Sequence, residues 1–234
     1  MIAAQLYTLR DQLRNPDALG GVLGRLREIG YEAVEVAGLT PSVADRLDAE
    51  LERAGLVACA AHVALCDIDA AAPHCKAWGC QYVVVPSLPP DYHSPEGFRR
   101  FAAEAEEIAE RLRRHGLGLA YHNHDFELPI GLEILFARGL QAELDVFWLR
   151  QGGEDPVDWI RRLAGRLPLV HLKDMGEDGR QTEVGEGVLD WAAILAACRD
   201  AGTRWFVVEQ DQSDRDPLDS LAISHRHLAG WLRR

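Results

Sequence analysis

The chain has 234 residues, enough for one large core, and its formal net charge of −12 is spread along its length rather than gathered in a tail. That distribution argues against a nucleic-acid backbone or an anionic membrane surface as partner. Five cysteines, odd in number and without a C-x-x-C pair, indicate neither a disulfide framework nor a zinc ribbon. The absence of a signal-peptide pattern or membrane-length apolar run leads us to expect a cytoplasmic protein.

Ile2 to Leu6 is a short apolar run read as the first strand, and Asn15-Pro16-Asp17 opens an amphipathic helix to Ile29. Gly30 closes that helix, and the alternation of Tyr31 to Val36 gives a second strand with Glu35 near its end. Thr40-Pro41-Ser42 caps a helix that Gly55 stops, Leu56 to His62 is the third strand, and a helical segment follows as far as Trp78-Gly79. Gln81 to Val85 is an unbroken buried strand closed by Pro86. Ser94-Pro95-Glu96 begins the longest helix, which runs down to His115-Gly116. Leu117 to Ala120 then leads the fifth strand into Tyr121-His-Asn-His-Asp-Phe-Glu127. A brief helix from Gly131 to Ala137, a sixth strand from Ala142 to Phe147, and a helix from Asp155-Pro156 through Leu163 come next. The seventh strand is Leu167 to Leu172, followed by a helix from Leu189 to Ala201. The eighth is Trp205 to Val208, and a last helix runs from Asp216-Pro217 to Trp231. Eight strand–helix units of similar length predict an α/β fold, a (β/α)8 TIM barrel, as a single domain over residues 1–234. An open doubly wound sheet would have fewer units and usually a Gly-rich loop where Tyr7-Thr-Leu-Arg10 stands.

In such a barrel the chemistry sits at the carboxyl ends of the strands. Here those ends hold Gln5, Glu35, His62, His122 with His124, Asp145, His171 with Lys173, and Glu209. His122 and His124 are two residues apart in an extended strand and share a face. Buried carboxylates without partners cost several kcal/mol each, so a convergent set implies a compensating charge. A divalent cation would supply it. Asp145, His171, Glu209 and one of the strand-five histidines form a mixed oxygen and nitrogen set suited to Mn2+, Zn2+, Mg2+ or Fe2+. Plainer readings exist for each residue: Glu35 paired with an arginine, His62 a satisfied strand-end histidine, Asp145 the cap of the next loop.

Taken in order, Gln5 to Asp11, Tyr121 to Glu127, Leu144-Asp-Val-Phe-Trp148 with Gly152 to Pro156, Val170-His-Leu-Lys-Asp174, Val184 to Trp191 and Val208-Glu-Gln-Asp211 resemble the xylose-isomerase-like barrel superfamily. Within it they are most similar to the sugar phosphate isomerase/epimerase group. The resemblance spans almost the whole chain. It implies one divalent metal (Mn2+, Zn2+ or Mg2+) held by His122, Asp145, His171 and Glu209, with His122 standing where the group usually has a glutamate. Trp148 likewise stands where sugar epimerases carry a substrate-binding histidine. It further implies a carbohydrate substrate and an isomerase or epimerase reaction through an enediolate. Glu209 would be the first candidate base and His62, His124 or Glu127 its partner, with Glu35, Trp148, Lys173 and Glu186 on the substrate. A keto-sugar or keto-inositol dehydratase would share every one of these residues, and a catalytically silent sugar-binding barrel is the rival from a different class. A metal-dependent phosphodiesterase of the apurinic-endonuclease type would need further histidines, and the acidic charge counts against it. Trp148, Trp159 and Trp191 are candidates for a pocket or a homo-oligomer interface.

Overall fold

A computed structural model describes residues 1–128 and 130–233. Its strands are β1 (Ile2–Gln5), β2 (Ala33–Val36), β3 (Val57–His62), β4 (Tyr82–Val85), β5 (Gly118–His122), β6 (Gln141–Asp145), β7 (Leu169–Leu172), the short β8 (Asp174–Met175) and β9 (Gln181–Thr182), and β10 (Trp205–Val208). Eight of them close a parallel barrel in the order β1-β10-β7-β6-β5-β4-β3-β2, while β8 and β9 form a separate antiparallel hairpin. The surrounding helices are α1 (Leu19–Ile29), α2 (Pro41–Ala44), α3 (Leu47–Ala54), α4 (Ile68–Ala77), α5 (Pro95–Arg113), α6 (Ile130–Phe136), α7 (Val146–Gln151), α8 (Pro156–Arg162), α9 (Trp191–Ala201) and α10 (Pro217–Leu232). No helix among the described residues is long and apolar enough to cross a membrane.

All eight expected barrel strands are present, with three differences from the expected elements. The sixth strand stops at Asp145 instead of running to Phe147, because the Asp145 Oδ1 accepts the backbone N–H groups of Phe147 and Trp148 and thereby starts α7. The helix expected from Thr40 to Gly55 is split into α2 and α3. The β8–β9 hairpin, too short to show as a periodic run, was not expected.

Strand periodicity fixes what faces the barrel axis. Ala3, Ala33, Val84, Ala120, Leu169, Trp205 and Val207 form an apolar plug inside the barrel, while Ala4, Val34, Val83, Leu119, Leu144, Val170 and Val208 face the helices. The next inward positions, one step further toward the carboxyl ends, are Gln5, Glu35, His122, Glu143 with Asp145, His171 and Glu209. β3 reaches this phase only through an irregularity. Val34 pairs with Ala58 but Glu35 pairs with Ala60, so Cys59 and Ala60 both belong to the inner plug. That one-residue shift is what turns His62 toward the mouth.

The loop after β7 is organised by Asp174, which is fully buried and accepts from the backbone N–H groups of Met175, Gly185, Gly187 and Leu189 and from the Trp191 indole. A side chain at residue 187 would overlap the Asp174 carboxylate and the Met175 carbonyl, so Gly187 belongs to the same device. Asp174→Ala leaves these donors unpaired and is expected to lower stability by roughly 3 kcal/mol or more. Urea denaturation checks this, and an unchanged midpoint would show that the loop is held by something else.

Candidate active site

Each predicted strand-end residue can now be placed. His122, Asp145, His171 and Glu209 offer ligand atoms that all lie within 4.8 Å of one another, and His62, His122, Glu143 and His171 form a second such group below them. The two groups share two imidazoles and use their opposite nitrogens. His122 turns Nε2 toward Asp145 Oδ2 at 3.8 Å and Nδ1 toward Glu143 Oε2 at 3.2 Å. His171 turns Nδ1 toward Glu209 Oε2 at 3.0 Å and Nε2 toward Glu35 Oε2 at 2.6 Å. A histidine that ligates a metal through one nitrogen usually donates its other N–H to a carboxylate, which fixes tautomer and ring orientation. Glu35 and Glu143 stand in that supporting position for the upper group, so the upper donor set fits a divalent cation.

Local structure holds these side chains in place. Asn123, on the opposite face of the strand end from His122, accepts the Asp145 N–H at 2.9 Å and so clips the end of β5 to that of β6. Asp145 Oδ1 caps α7, as the plainer reading of this residue has it, and leaves Oδ2 within the upper group. Lys173, 1% exposed, places Nζ 2.9 Å from Asp145 Oδ2, 2.6 Å from Glu209 Oε2 and 2.9 Å from Asp211 Oδ2.

Charge follows from this geometry. Burial alone would push His62 down, but Glu35 and Glu143 overcome it and raise its pKa to about 10. His171 is likewise pushed down by burial and carried well above its ordinary value by Glu143 and Glu35. Burial, then the positive charges of His171 and its neighbours, holds His122 well below, and burial with Lys173 lowers His124 to about 4. Burial would raise Glu209, yet Lys173 and then His171 keep it well below the usual carboxylate range. The lower group is therefore satisfied by protons on His62 and His171, and the upper by the Lys173 ammonium.

The inner chamber, about 300 Å³, is lined by Tyr7, His62, His122, His124, Lys173, Glu209 and Asp211. An outer chamber of about 660 Å³ shares Tyr7, His124 and Asp211 with it and is walled by Trp148 and the β8–β9 hairpin. Trp148 packs on His124 with ring centroids 5.4 Å apart, and Lys173 Nζ lies 5.7 Å from the indole centroid.

Three residues expected on the substrate or in catalysis are not brought to the chambers. Glu35 is fully buried below them, where it accepts from Gln5 Nε2 at 2.8 Å and meets His171 Nε2 at 2.6 Å, so it supports the site and does not line it. Glu127 is 1% exposed and turns away, accepting the Tyr121 hydroxyl at 2.5 Å and the His124 N–H at 2.7 Å, because Tyr121 lies on the helix-facing side of β5. It positions His124 rather than reaching substrate. Glu186 pairs with Arg215 at 2.8 Å and lines neither chamber. Conversely, Glu143 and Asp211 were missed, although the spacing Glu143-Leu-Asp145 and Glu209-Gln-Asp211 carries the same two-residue signal as His122 and His124.

The family profile of the xylose isomerase-like TIM barrel matches residues 23–234, and the chain belongs to that family. It is 28% identical over 162 residues to the rhizopine catabolism protein MocC of Rhizobium meliloti, a match covering 57% of this chain and 50% of the relative. It is 24% identical over 257 residues to an inosose dehydratase of Geobacillus kaustophilus, covering 87% of this chain and 81% of the relative. The chain thus spans about half the length of the first relative. Among solved structures, a sugar phosphate isomerase/epimerase of Parabacteroides distasonis superposes with a TM-score of 0.84 at 18% identity, covering 97% of each chain. The IolI protein, solved with a binding zinc atom, gives 0.78 at 15% identity over 99% of this chain and 97% of its own. At these identities the structural likeness is one of fold.

Two outcomes follow from the charges. Burial raises Glu127 from 4.5 to about 7 in the folded chain, so its contribution to stability is present below pH 4.5 and is lost as pH climbs to about 7. Relative to Glu127→Gln, wild type should lose about 3 kcal/mol across that window, read from urea midpoints at each pH; parallel curves would refute it. Lys173→Met removes the one cation shared by Asp145, Glu209 and Asp211 and leaves only His171 beside Glu209. Metal-free variant is expected to lose about 3–5 kcal/mol of stability and to regain most of it in excess Mn2+ or Zn2+. A variant as stable as wild type without metal would show that Lys173 is not the compensating charge.

Proposed function

We propose that the chain is a metal-dependent enzyme acting on a carbohydrate, an isomerase or epimerase that works through an enediolate. The observation that carries this reading is the upper donor group, in which His122, Asp145, His171 and Glu209 converge above supporting carboxylates at the mouth of the barrel. A divalent cation, Mn2+, Zn2+ or Mg2+, would supply Lewis-acid polarisation that acidifies the C–H beside a substrate carbonyl.

The chain's own residues supply the remaining steps. Glu209, kept ionised by Lys173 and His171, lines the inner chamber and is the first acceptor for that proton. His62, protonated by its contacts with Glu35 and Glu143, faces the same chamber and donates to a substrate oxygen. His124 is neutral near pH 7 and lines both chambers, which makes it the second acid/base candidate. Trp148 packs on His124 with the two rings tilted and would screen a substrate bound beneath it from water. Returning the proton to a different carbon or face gives isomerisation or epimerisation.

A dehydratase is the second reading, favoured by the inosose dehydratase relative that matches 87% of the chain. The same proton abstraction followed by loss of a β-hydroxyl would serve it without any change of residues.

Protein purified without chelator is expected to hold about one divalent ion per chain, lost in His171→Ala and Asp145→Asn. The loaded protein should exchange the C–H beside the carbonyl of a keto-sugar with solvent deuterium, and Glu209→Gln should slow that by about 10²-fold or more. Loss of water from the product would select the dehydratase. Wild type that stays metal-free after incubation with all three ions would sink both readings.

A further inference from the structure

Lys173 stands where an ion entering the upper group would have to displace it. Its ammonium carries three donors and meets three carboxylates, Asp145 Oδ2 at 2.9 Å, Glu209 Oε2 at 2.6 Å and Asp211 Oδ2 at 2.9 Å. The first two residues belong to the converging donor set and the third does not. A divalent ion that takes Asp145 and Glu209 therefore leaves the ammonium with Asp211 alone. Other partners are poor, because Lys173 is 1% exposed and the Trp148 ring, its centroid 5.7 Å from Nζ, carries no charge. Without Asp211, an ammonium would lie buried beside a dication with no counter-charge of its own. That costs more than losing Asp211 from the metal-free chain, where two further carboxylates hold the ammonium.

Asp211 is held from outside the donor set. Gln181, on β9, donates Nε2 to Asp211 Oδ2 at 2.7 Å and accepts the Asp211 N–H on Oε1 at 3.0 Å, so one amide grips both carboxylate and backbone. Arg10 Nη2 donates to the Asp211 carbonyl at 2.8 Å. None of these contacts involves a donor residue, so an ion in the upper group breaks none of them. We propose that Asp211 and Gln181 are positioning residues of the metal site: Asp211 receives the Lys173 ammonium as the ion takes Asp145 and Glu209, and Gln181 sets Asp211 for that role. This rests on the metal reading above and adds to it two residues that touch no ion. The ammonium then stays on the wall of the inner chamber, which Lys173 and Asp211 both line.

The test reads metal affinity rather than turnover, by calorimetric titration of chelator-stripped protein with Zn2+ and with Mn2+. Asp211→Asn is expected to weaken binding by about tenfold or more, and Asp211→Glu by less. Gln181→Ala, at a half-buried hairpin position, should weaken it several-fold in wild type and no further in Asp211→Asn. In Lys173→Met, which has no ammonium to receive, the effect of Asp211→Asn should shrink to within about threefold. A crystal structure of zinc-loaded wild type needs no variant, and should show Lys173 Nζ on Asp211 and off Asp145 and Glu209. Asp211→Asn binding as tightly as wild type, or weakening binding equally with and without Lys173, overturns the inference while the metal reading stands. So does a loaded structure in which Nζ keeps Asp145 and Glu209. If wild type takes up neither ion, the metal reading falls and takes the inference with it.

Discussion

The mouth of the barrel buries Glu35, Glu143, Asp145, Asp174 and Glu209 almost completely, and the arrangement around them follows from what those carboxylates need. Taking one such ion out of water costs several kcal/mol, and a close opposite charge returns about 4 kcal/mol at an effective dielectric near 20. The two effects nearly cancel, so these clusters add little net stability while complete. Removing one member is what costs. Asp174 is satisfied by backbone and indole N–H groups, and it serves the loop that walls the outer chamber. The other four are satisfied by charge, in two tiers. Protonated imidazoles answer Glu35 and Glu143 below, and an ammonium answers Asp145 and Glu209 above.

The tiers differ in what can replace their cation. In the lower tier the protons sit between side chains that also pack on one another: the His62 and His171 rings stack at 5.2 Å, and His122 meets His171 edge-on at 4.5 Å. In the upper tier Lys173 reaches in from the end of β7, and a divalent ion with more charge and shorter contacts can displace its ammonium from the same oxygens. The fold thus separates a lower layer of protonated imidazoles from an upper layer whose cation, the Lys173 ammonium, faces the inner chamber.

The barrel was legible because its strands are short, apolar and evenly spaced, and because period two assigns inward residues once a strand is placed. His122, Asp145, His171 and Glu209 were found that way, and the structure brings them together. The misreadings have local physical causes. Glu127 lies in the strand-end motif, but the chain turns there into a single helical turn whose start it caps, so strand periodicity no longer assigns its direction. Val146 and Phe147 are good strand formers and extend the predicted sixth strand by two residues, but the carboxylate of Asp145 overrides that preference by starting α7. His62 was placed in the pocket, but only a β-bulge between β2 and β3, invisible in the sequence, gives the reason.

The departure at strand five looks different once Glu143 is included. A histidine at position 122 in place of a carboxylate would leave a cation in the upper tier with one less negative ligand, and nothing within β5 makes up the loss. β6 does, because His122 and Glu143 are direct neighbours in the barrel register and Glu143 Oε2 lies 3.2 Å from His122 Nδ1. The compensating negative charge would then lie one strand over and one layer down, against His122 instead of against the cation. An imidazole backed by a carboxylate is a more basic ligand than an imidazole alone, so part of the lost charge is restored through the ring. What is not restored is an oxygen that could carry a proton at that face of the substrate. Under the proposed mechanism that role would fall to a group outside the donor set, and His124, two residues on and on the same strand face, is the neighbouring imidazole, its ring 5.0 Å from that of His122.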